Sequence, residues 1–350
     1  MPRIAAVATA LPPHRITQAE AKAFARAHFG GARRDIDRLL DAFDHTGIES
    51  RYVCMEPSWY AAPHDFGEKN KLYIDWSTRL GANVARDCLD KAGISPAEVT
   101  HIIFVSTTGL ATPSIDSRLV NVLGLCPHVR RTPLWGLGCG GGAAGLSHAA
   151  MMARADAHAC VLLVSVELCS LTFHHADTSK SNVIATALFA DGAAGVLVTG
   201  EAIPGGGPEI AGEQATTWPG SLDVMGWNFD SVGMQVVFSR AIPAIVQEKV
   251  RDDVDRFLVS QGTTLAGVPH LIAHPGGAKV IEAYEKALAL PCETMRLTRE
   301  ILRDFGNMSS PSVLFVLERF LAQKQAGPGE RALLTALGPG FTSEKLILQF

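Results

Sequence analysis

The chain has 350 residues, 47% hydrophobic and 19% charged, with a formal net charge of −4. These values exclude a disordered chain, which needs low hydrophobicity and high net charge, and no basic excess suits nucleic acid or an anionic membrane surface. No apolar run reaches the roughly 18–20 residues of a membrane span, and the N-terminus, broken by Pro12 and Pro13, does not read as a secretory signal. The expectation is a cytoplasmic protein longer than one hydrophobic core usually serves.

In chain order, apolar runs at 101–106, 161–166, 193–198, 270–273, 332–336 and 346–350 read as short strands covered on both faces. Helical patterns fall between them. In 79–92, Leu80, Val84 and Cys88 recur every four residues and Gly93 stops the helix. An Ala-rich helix is expected over 143–157. The stretch 200–221, with its Pro204-Gly205-Gly206-Gly207-Pro208 core, reads as a surface loop. It divides an N-terminal half, 1–205, from a C-terminal half, 206–350. In 239–260, Ile242, Val246, Val250 and Phe257 mark one face, with Pro243 in the first turn. Ser310 and Pro311 read as the N-cap and first residue of a last helix. Alternating strands and helices make this an α/β protein.

The seven cysteines include no C-x-x-C pair, so neither a disulfide framework nor a structural zinc site is expected. Cys139 stands apart, among Gly136, Gly138, Gly140, Gly141 and Gly142 and just before the Ala-rich helix. A helix N-terminus lowers a thiol's pKa, and small neighbours let an acyl group and backbone donors approach. The same residues would also suit a tight turn around an inert cysteine. His274 ends a strand, followed at once by Pro275-Gly276-Gly277; strand ends and the loops after them commonly carry function, although a lone histidine also suits a core. Asn307, in Gly306-Asn307-Met308-Ser309-Ser310, is a turn residue or an amide donor. Nucleophile, base and amide in this order occur in papain-like hydrolases, whose cysteine lies near the N-terminus, and in enzymes that condense acyl thioesters.

Over essentially its whole length the chain resembles the type III polyketide synthases, the chalcone synthase superfamily. The marks are the Gly-rich segment around Cys139, Ile272-Ala273-His274-Pro275-Gly276-Gly277, Gly306-Asn307-Met308-Ser309-Ser310, Gly338-Pro339-Gly340-Phe341-Thr342 and Ala187-Leu188-Phe189-Ala190-Asp191-Gly192. The resemblance implies a thiolase-like fold, two similar halves in a layered αβαβα arrangement, and a homodimer. It implies that Cys139 carries the acyl group, while His274 and Asn307 stabilise the enolate formed when malonyl-CoA loses CO₂. No metal or redox cofactor is required; acyl-CoA and malonyl-CoA are substrates. Phe189 matches an aromatic gatekeeper. Thr108, Cys169, Thr172, Trp227, Val236, Gly276, Gly277, Ser309, Gly338, Pro339, Gly340 and Phe341 fall at substrate-binding positions. Arg51 and Lys279 are candidates for the CoA phosphates, with a solvated surface charge as the plainer reading of each.

Two departures from the plant enzymes shape the expected substrate. Val236 stands where a second gatekeeper Phe is expected, which removes a ring and widens the path, and Cys169 replaces a cavity Thr. With Met225-Gly226-Trp227-Asn228, this pattern is similar to bacterial alkylresorcinol and alkylpyrone synthases, which use fatty acyl-CoA starters. Trp227 either limits the tunnel's width or is a core residue. The competing readings are a ketoacyl-ACP synthase performing one condensation, a cysteine hydrolase, and a noncatalytic thiolase-fold lipid-binding protein.

Overall fold

A sheet of nine strands organises the chain, and the computed structural model describes residues 1–31, 33–230 and 233–350 of it. The N-terminal half opens with β1 (Arg3–Ala10) and a ribbon of β2 (His14–Thr17) and β3 (Ser50–Val53), with α1 (Gln18–Phe29) and α2 (Ile36–Asp44) between the ribbon strands. Next come α3 (Phe66–Ala92), β4 (His101–Val105), α4 (Ile115–Leu123), β5 (Arg130–Leu134), α5 (Gly141–Ala155), β6 (Cys160–Leu168), α6 (Lys180–Leu188) and β7 (Asp191–Thr199). The C-terminal half runs β8 (Glu209–Thr217), a hairpin of β9 (Met225–Phe229) and β10 (Met234–Phe238), α7 (Ile242–Ser260), β11 (His270–Ala273) and α8 (Ala278–Leu288). It ends with α9 (Arg296–Phe305), α10 (Pro311–Ala322), β12 (Arg331–Gly338) and β13 (Thr342–Gln349).

The order across the sheet is β11-β12-β13-β8-β1-β7-β6-β4-β5. The halves join where β8 meets β1, paired through Arg3 and Glu209. Side chains alternate along each strand, so every strand feeds two cores. In β6, Val161 and Leu163 point to the middle of the molecule, while Cys160, Leu162 and Val164 point to α3 and α4. In the other half, Leu334, Leu346 and Leu348 join the middle core, while Leu333 and Ile347 face α7 and α8. The middle core is filled by Ala143, Leu146 and Ala149 of α5 and Val313, Leu314 and Leu317 of α10. The result is helix, sheet, helix, sheet, helix: the five-layered thiolase-like arrangement. On the outer face of β13, Lys345 is fully buried and pairs with Asp253 of α7 at 2.5 Å.

Two expectations from sequence are corrected, and a third, the N-cap at Ser310, holds in position but not in bonding. The helix read over 79–92 begins at Phe66, because Asp65 caps it by accepting from the Glu68 N–H at 2.8 Å. The stretch 200–221 is not all loop. It contains β8, whose polar residues alternate with buried Ile210 and Gly212 between β13 and β1. Ser310 precedes α10 but makes no capping bond; its hydroxyl is turned to a buried acid described below.

Candidate active site

Cys139 and Asn307 lie just ahead of the middle-layer helices α5 and α10, and His274 follows the end of β11. Cys139 lies in a single 3-10 turn, Gly138–Gly140, directly before α5, and is 5% exposed. Glycine is needed at 138: its φ is +45°, and a Cβ there would lie 2.7 Å from Cδ of Pro339. Gly141 has the same close packing, with a Cβ placed 2.6 Å from Cγ1 of Val105. Burial pushes the Cys139 thiol up to about 11; hydrogen bonds from Ser309 and Asn307 pull the other way, and the charge of Glu167 adds to the rise. Burial acts against the lowering expected from the helix end, because it disfavours a thiolate.

Asn307 precedes α10. Its side-chain Oδ1 accepts from the Ser309 N–H at 2.8 Å, so its Nδ2 faces the other way and donates to the Gly276 carbonyl at 3.2 Å. The backbone is pinned too: the Asn307 N–H donates to Leu188 O, and its carbonyl accepts from the Ala190 N–H, both at 2.9 Å. His274 leaves the end of β11, where its N–H donates to Thr335 O at 2.9 Å. Its ring lies beside Gly276, the residue that Asn307 also touches, with Cδ2 3.5 Å from where a Gly276 Cβ would be. Both ring nitrogens are buried without a hydrogen-bond partner among the described residues. Burial lowers the imidazole to about 3, so it is neutral, with one N–H to give and one lone pair to accept.

Beside the nucleophile lies an acid that motif reading missed. Glu167 of β6 is fully buried and accepts from the Thr107 N–H at 2.9 Å, Thr108 Oγ1 at 2.8 Å and Ser310 Oγ at 2.9 Å. Burial outweighs these bonds and raises it to about 7. A clue existed: one carboxylate inside the continuous apolar run 161–168 is out of place unless it has work.

Three cavities meet at the site. The chamber itself, about 30 Å³, is lined by Cys139, Thr108, Cys169, Phe189, Trp227, Val236, Ser309 and Pro339 among others. Most of the expected cavity residues are therefore gathered around the nucleophile. An apolar cavity of about 130 Å³ shares Cys169, Phe189, Trp227 and Val236 with it and continues past Thr172 to Ala21 and Phe24 of α1, Val53 and Phe173. A third cavity, about 420 Å³, lies at Gly276 and Gly277 and carries the cations Lys180, Arg240 and Lys279, with His45.

Two expected site groups are placed elsewhere. Arg51 is 3% exposed and donates to the carbonyls of Thr186 at 2.8 Å, Ala187 at 2.7 Å and Phe189 at 3.1 Å. It closes the C-terminal end of α6, where a cation suits the helix dipole, and it borders the apolar cavity rather than the cationic one. In the turn 338–341 only Pro339 reaches the chamber. Phe341 is buried in the outer C-terminal core against Trp218, ring centroids 5.7 Å apart. Gly338 instead backs the nucleophile turn, its Cα 3.4 Å from where a Gly140 Cβ would be, and Gly340, at φ +134°, supplies the bend.

The chain matches the chalcone and stilbene synthases, the N-terminal domain over residues 2–202 and the C-terminal domain over 209–350. It is 41% identical to the "Putative chalcone synthase" of Bacillus subtilis (strain 168), across 99% of this chain and 98% of that one. It is 36% identical to the 1,3,6,8-tetrahydroxynaphthalene synthase of Streptomyces peucetius subsp. caesius, across 99% and 93%. The crystal structure of 1,3,6,8-tetrahydroxynaphthalene synthase from Streptomyces coelicolor A3(2) superposes with a TM-score of 0.95 over 99% of each chain, at 24% identity, a likeness of fold. The chain belongs to the chalcone and stilbene synthase family: it is a type III polyketide synthase, an acyltransferase working by decarboxylative condensation of malonyl-CoA.

Proposed function

We propose that this synthase takes a medium- or long-chain fatty acyl-CoA as starter, extends it with malonyl-CoA, and cyclises the product to an alkylpyrone or an alkylresorcinol. The observation that carries the proposal is the apolar cavity opening off the chamber beside Cys139. Its walls also carry Glu20, Arg51 and Asn182, but its mostly apolar lining, with Ala21, Phe24, Val53, Phe173 and Trp227, suits an alkyl chain, each buried methylene of which contributes about 0.8 kcal/mol.

Burial pushes the Cys139 thiol up and the His274 imidazole down, which favours the uncharged pair over a thiolate–imidazolium pair before substrate enters. His274 takes the Cys139 proton as Sγ attacks the starter thioester; the C–S bond to CoA breaks, and the departing sulfur receives that proton. Neutral again, His274 gives one N–H, and Asn307 its Nδ2–H, to the thioester oxygen of malonyl-CoA. The bond to the carboxylate breaks, CO₂ leaves, and the electron pair forms an enolate whose charge develops at that oxygen. The enolate carbon attacks the Cys139 thioester and Sγ leaves. The fixed amide of Asn307 suits this role, since Ser309 holds its Oδ1 away.

Lys180, Arg240 and Lys279 at the larger cavity supply charge for the CoA phosphates. The reaction as drawn uses no metal or redox cofactor. We also propose a cytoplasmic homodimer. Exposed Trp135 and Phe229, with ring centroids 6.0 Å apart, lie beside the edge strand β5 and give such a partner an apolar face. The test is incubation with lauroyl-CoA and malonyl-CoA, compared with butyryl-, benzoyl- and malonyl-CoA alone, with mass-spectrometric product analysis. Lauroyl-derived pyrones or resorcinols are expected; product from malonyl-CoA alone with none from lauroyl-CoA would overturn the proposal.

A further inference from the structure

Two walls of the apolar cavity come from different halves of the chain. Phe173 lies between β6 and α6 in the N-terminal half, while Trp227 and Val236 lie on the β9–β10 hairpin of the C-terminal half. We propose that Lys69 of α3 is a positioning residue that ties these two walls together and so fixes the width of the starter's path. The proposal rests on the reading of that cavity as the alkyl site.

The ammonium group of Lys69 reaches both walls. The residue is 6% exposed, and its Nζ donates to the Phe173 carbonyl at 3.3 Å. The same Nζ lies 3.5 Å from where a Cβ of Gly233, the residue before β10, would be. Burial holds the ammonium below the ordinary lysine value, and the charges of Asp230 and Asp65 oppose that shift. Asp65 is the N-cap of Lys69's own helix. Asp230 directly follows β9 and closes the hairpin. Its N–H donates to the Gly233 carbonyl at 3.0 Å, its Oδ1 accepts from the Gly233 N–H, and its Oδ2 accepts from Gln235 Nε2, both at 2.9 Å. His174, next to Phe173 and also buried, brings its Nε2 to 3.5 Å from Asp230 Oδ2. Lys69 and Met234 of β10 further line a small cavity with Thr108 and Thr172, which belong to the chamber and the apolar cavity respectively.

A buried ammonium is costly and is held only where acceptors and opposite charge compensate it. The hairpin gives that cost a purpose. Its strands pair with each other and with no strand of the main sheet, so no ladder sets its distance from Phe173. Met225 and Phe238 seat the base of the hairpin on the outer C-terminal core. Lys69 supplies the link to the N-terminal half at the other end. With that link cut, the walls part, the chain's methylenes lose contacts, and the path discriminates less by chain length.

The experiment compares K69M and K69R with the unaltered enzyme. It records kcat and KM for lauroyl-CoA and butyryl-CoA at fixed malonyl-CoA, and amide hydrogen exchange in the peptides containing Phe173 and Val236. In K69M the lauroyl-to-butyryl ratio of kcat/KM is expected to fall about fivefold or more, through KM for lauroyl-CoA, with faster exchange in both peptides; in K69R, which keeps the charge, the ratio and the exchange stay within about twofold. An unchanged ratio in K69M, an equal fall in K69R, or a fall without faster exchange overturns the proposal. Should K69M lose its near-UV circular dichroism, D230N, altered at a more exposed position, is read against the same thresholds. If the unaltered enzyme makes no product from lauroyl-CoA while exchange still rises in K69M, the alkyl reading of the cavity falls and only the tie between the walls stands.

Discussion

Filling the apolar cavity from α1 should change which starter the enzyme prefers. Ala21 is buried on that wall, so Ala21→Phe projects a benzyl group into a space of about 130 Å³. Each methylene denied burial loses about 0.8 kcal/mol, close to a factor of four in binding. A ring displacing roughly three methylenes would remove about 2.4 kcal/mol, or about 60-fold. The loss should fall on lauroyl-CoA and spare butyryl-CoA, whose chain ends before it meets α1. The assay is kcat/KM for each starter at fixed malonyl-CoA, with circular dichroism to verify the fold. A lauroyl-to-butyryl ratio within about twofold of the unaltered enzyme would falsify the placement of the alkyl chain. An equal fall for both starters would point to damage at the chamber instead.

Cys139→Ala should give no acyl-enzyme by intact mass, whereas Asn307→Ala should still load acyl groups and release CO₂ from labelled malonyl-CoA about 100-fold more slowly; persistent product from Cys139→Ala would show the nucleophile to be misassigned. Gly142→Ala should destabilise the protein by about 2 kcal/mol in urea titrations, although Ala is the better helix former by about 1 kcal/mol, because its Cβ would collide with the Ser310 carbonyl; a stabilised variant would refute the tight contact of α5 and α10. Glu167 is raised to about 7 in the folded chain, so the native state binds its proton more tightly than the unfolded one. Its contribution is fully present below about pH 4.5 and is lost as pH rises through about 7. Replacement by Gln should flatten that segment of the stability profile by an amount on the order of 3 kcal/mol; an unaltered slope between those pH values would remove Glu167 from the account.

The sequence was most readable where physics is local. Fully buried β6 and β7 announce themselves as apolar runs, and the cysteine turn announces itself by its glycines. β8 escaped because half its residues face polar surroundings and its neighbours in the sheet come from distant segments, 3–10 and 342–349. The trio Cys139, His274 and Asn307 was found by motif, whereas the bond from Asn307 to Gly276, two residues beyond His274, comes only with folding. Arg51 was misread since a cation near a resemblance motif looks the same whether it meets a phosphate or the carbonyl ends of α6. Lys180 and Arg240 had no sequence signal, as only folding brings α6 and the end of β10 to one cavity mouth.

The hairpin β9–β10 borders the chamber, the alkyl cavity and the cationic cavity. Trp227 and Val236 border the alkyl cavity and the chamber, and Phe238 borders the chamber and the cationic cavity. Yet its strands bond only to each other, outside the nine-stranded sheet that carries the cores. Selectivity is thereby written largely outside the sheet, although Met225 and Phe238 also pack against the outer C-terminal core. Descendants of this sequence can trade starters through side chains of the hairpin, but they cannot retune one cavity there without disturbing its neighbour.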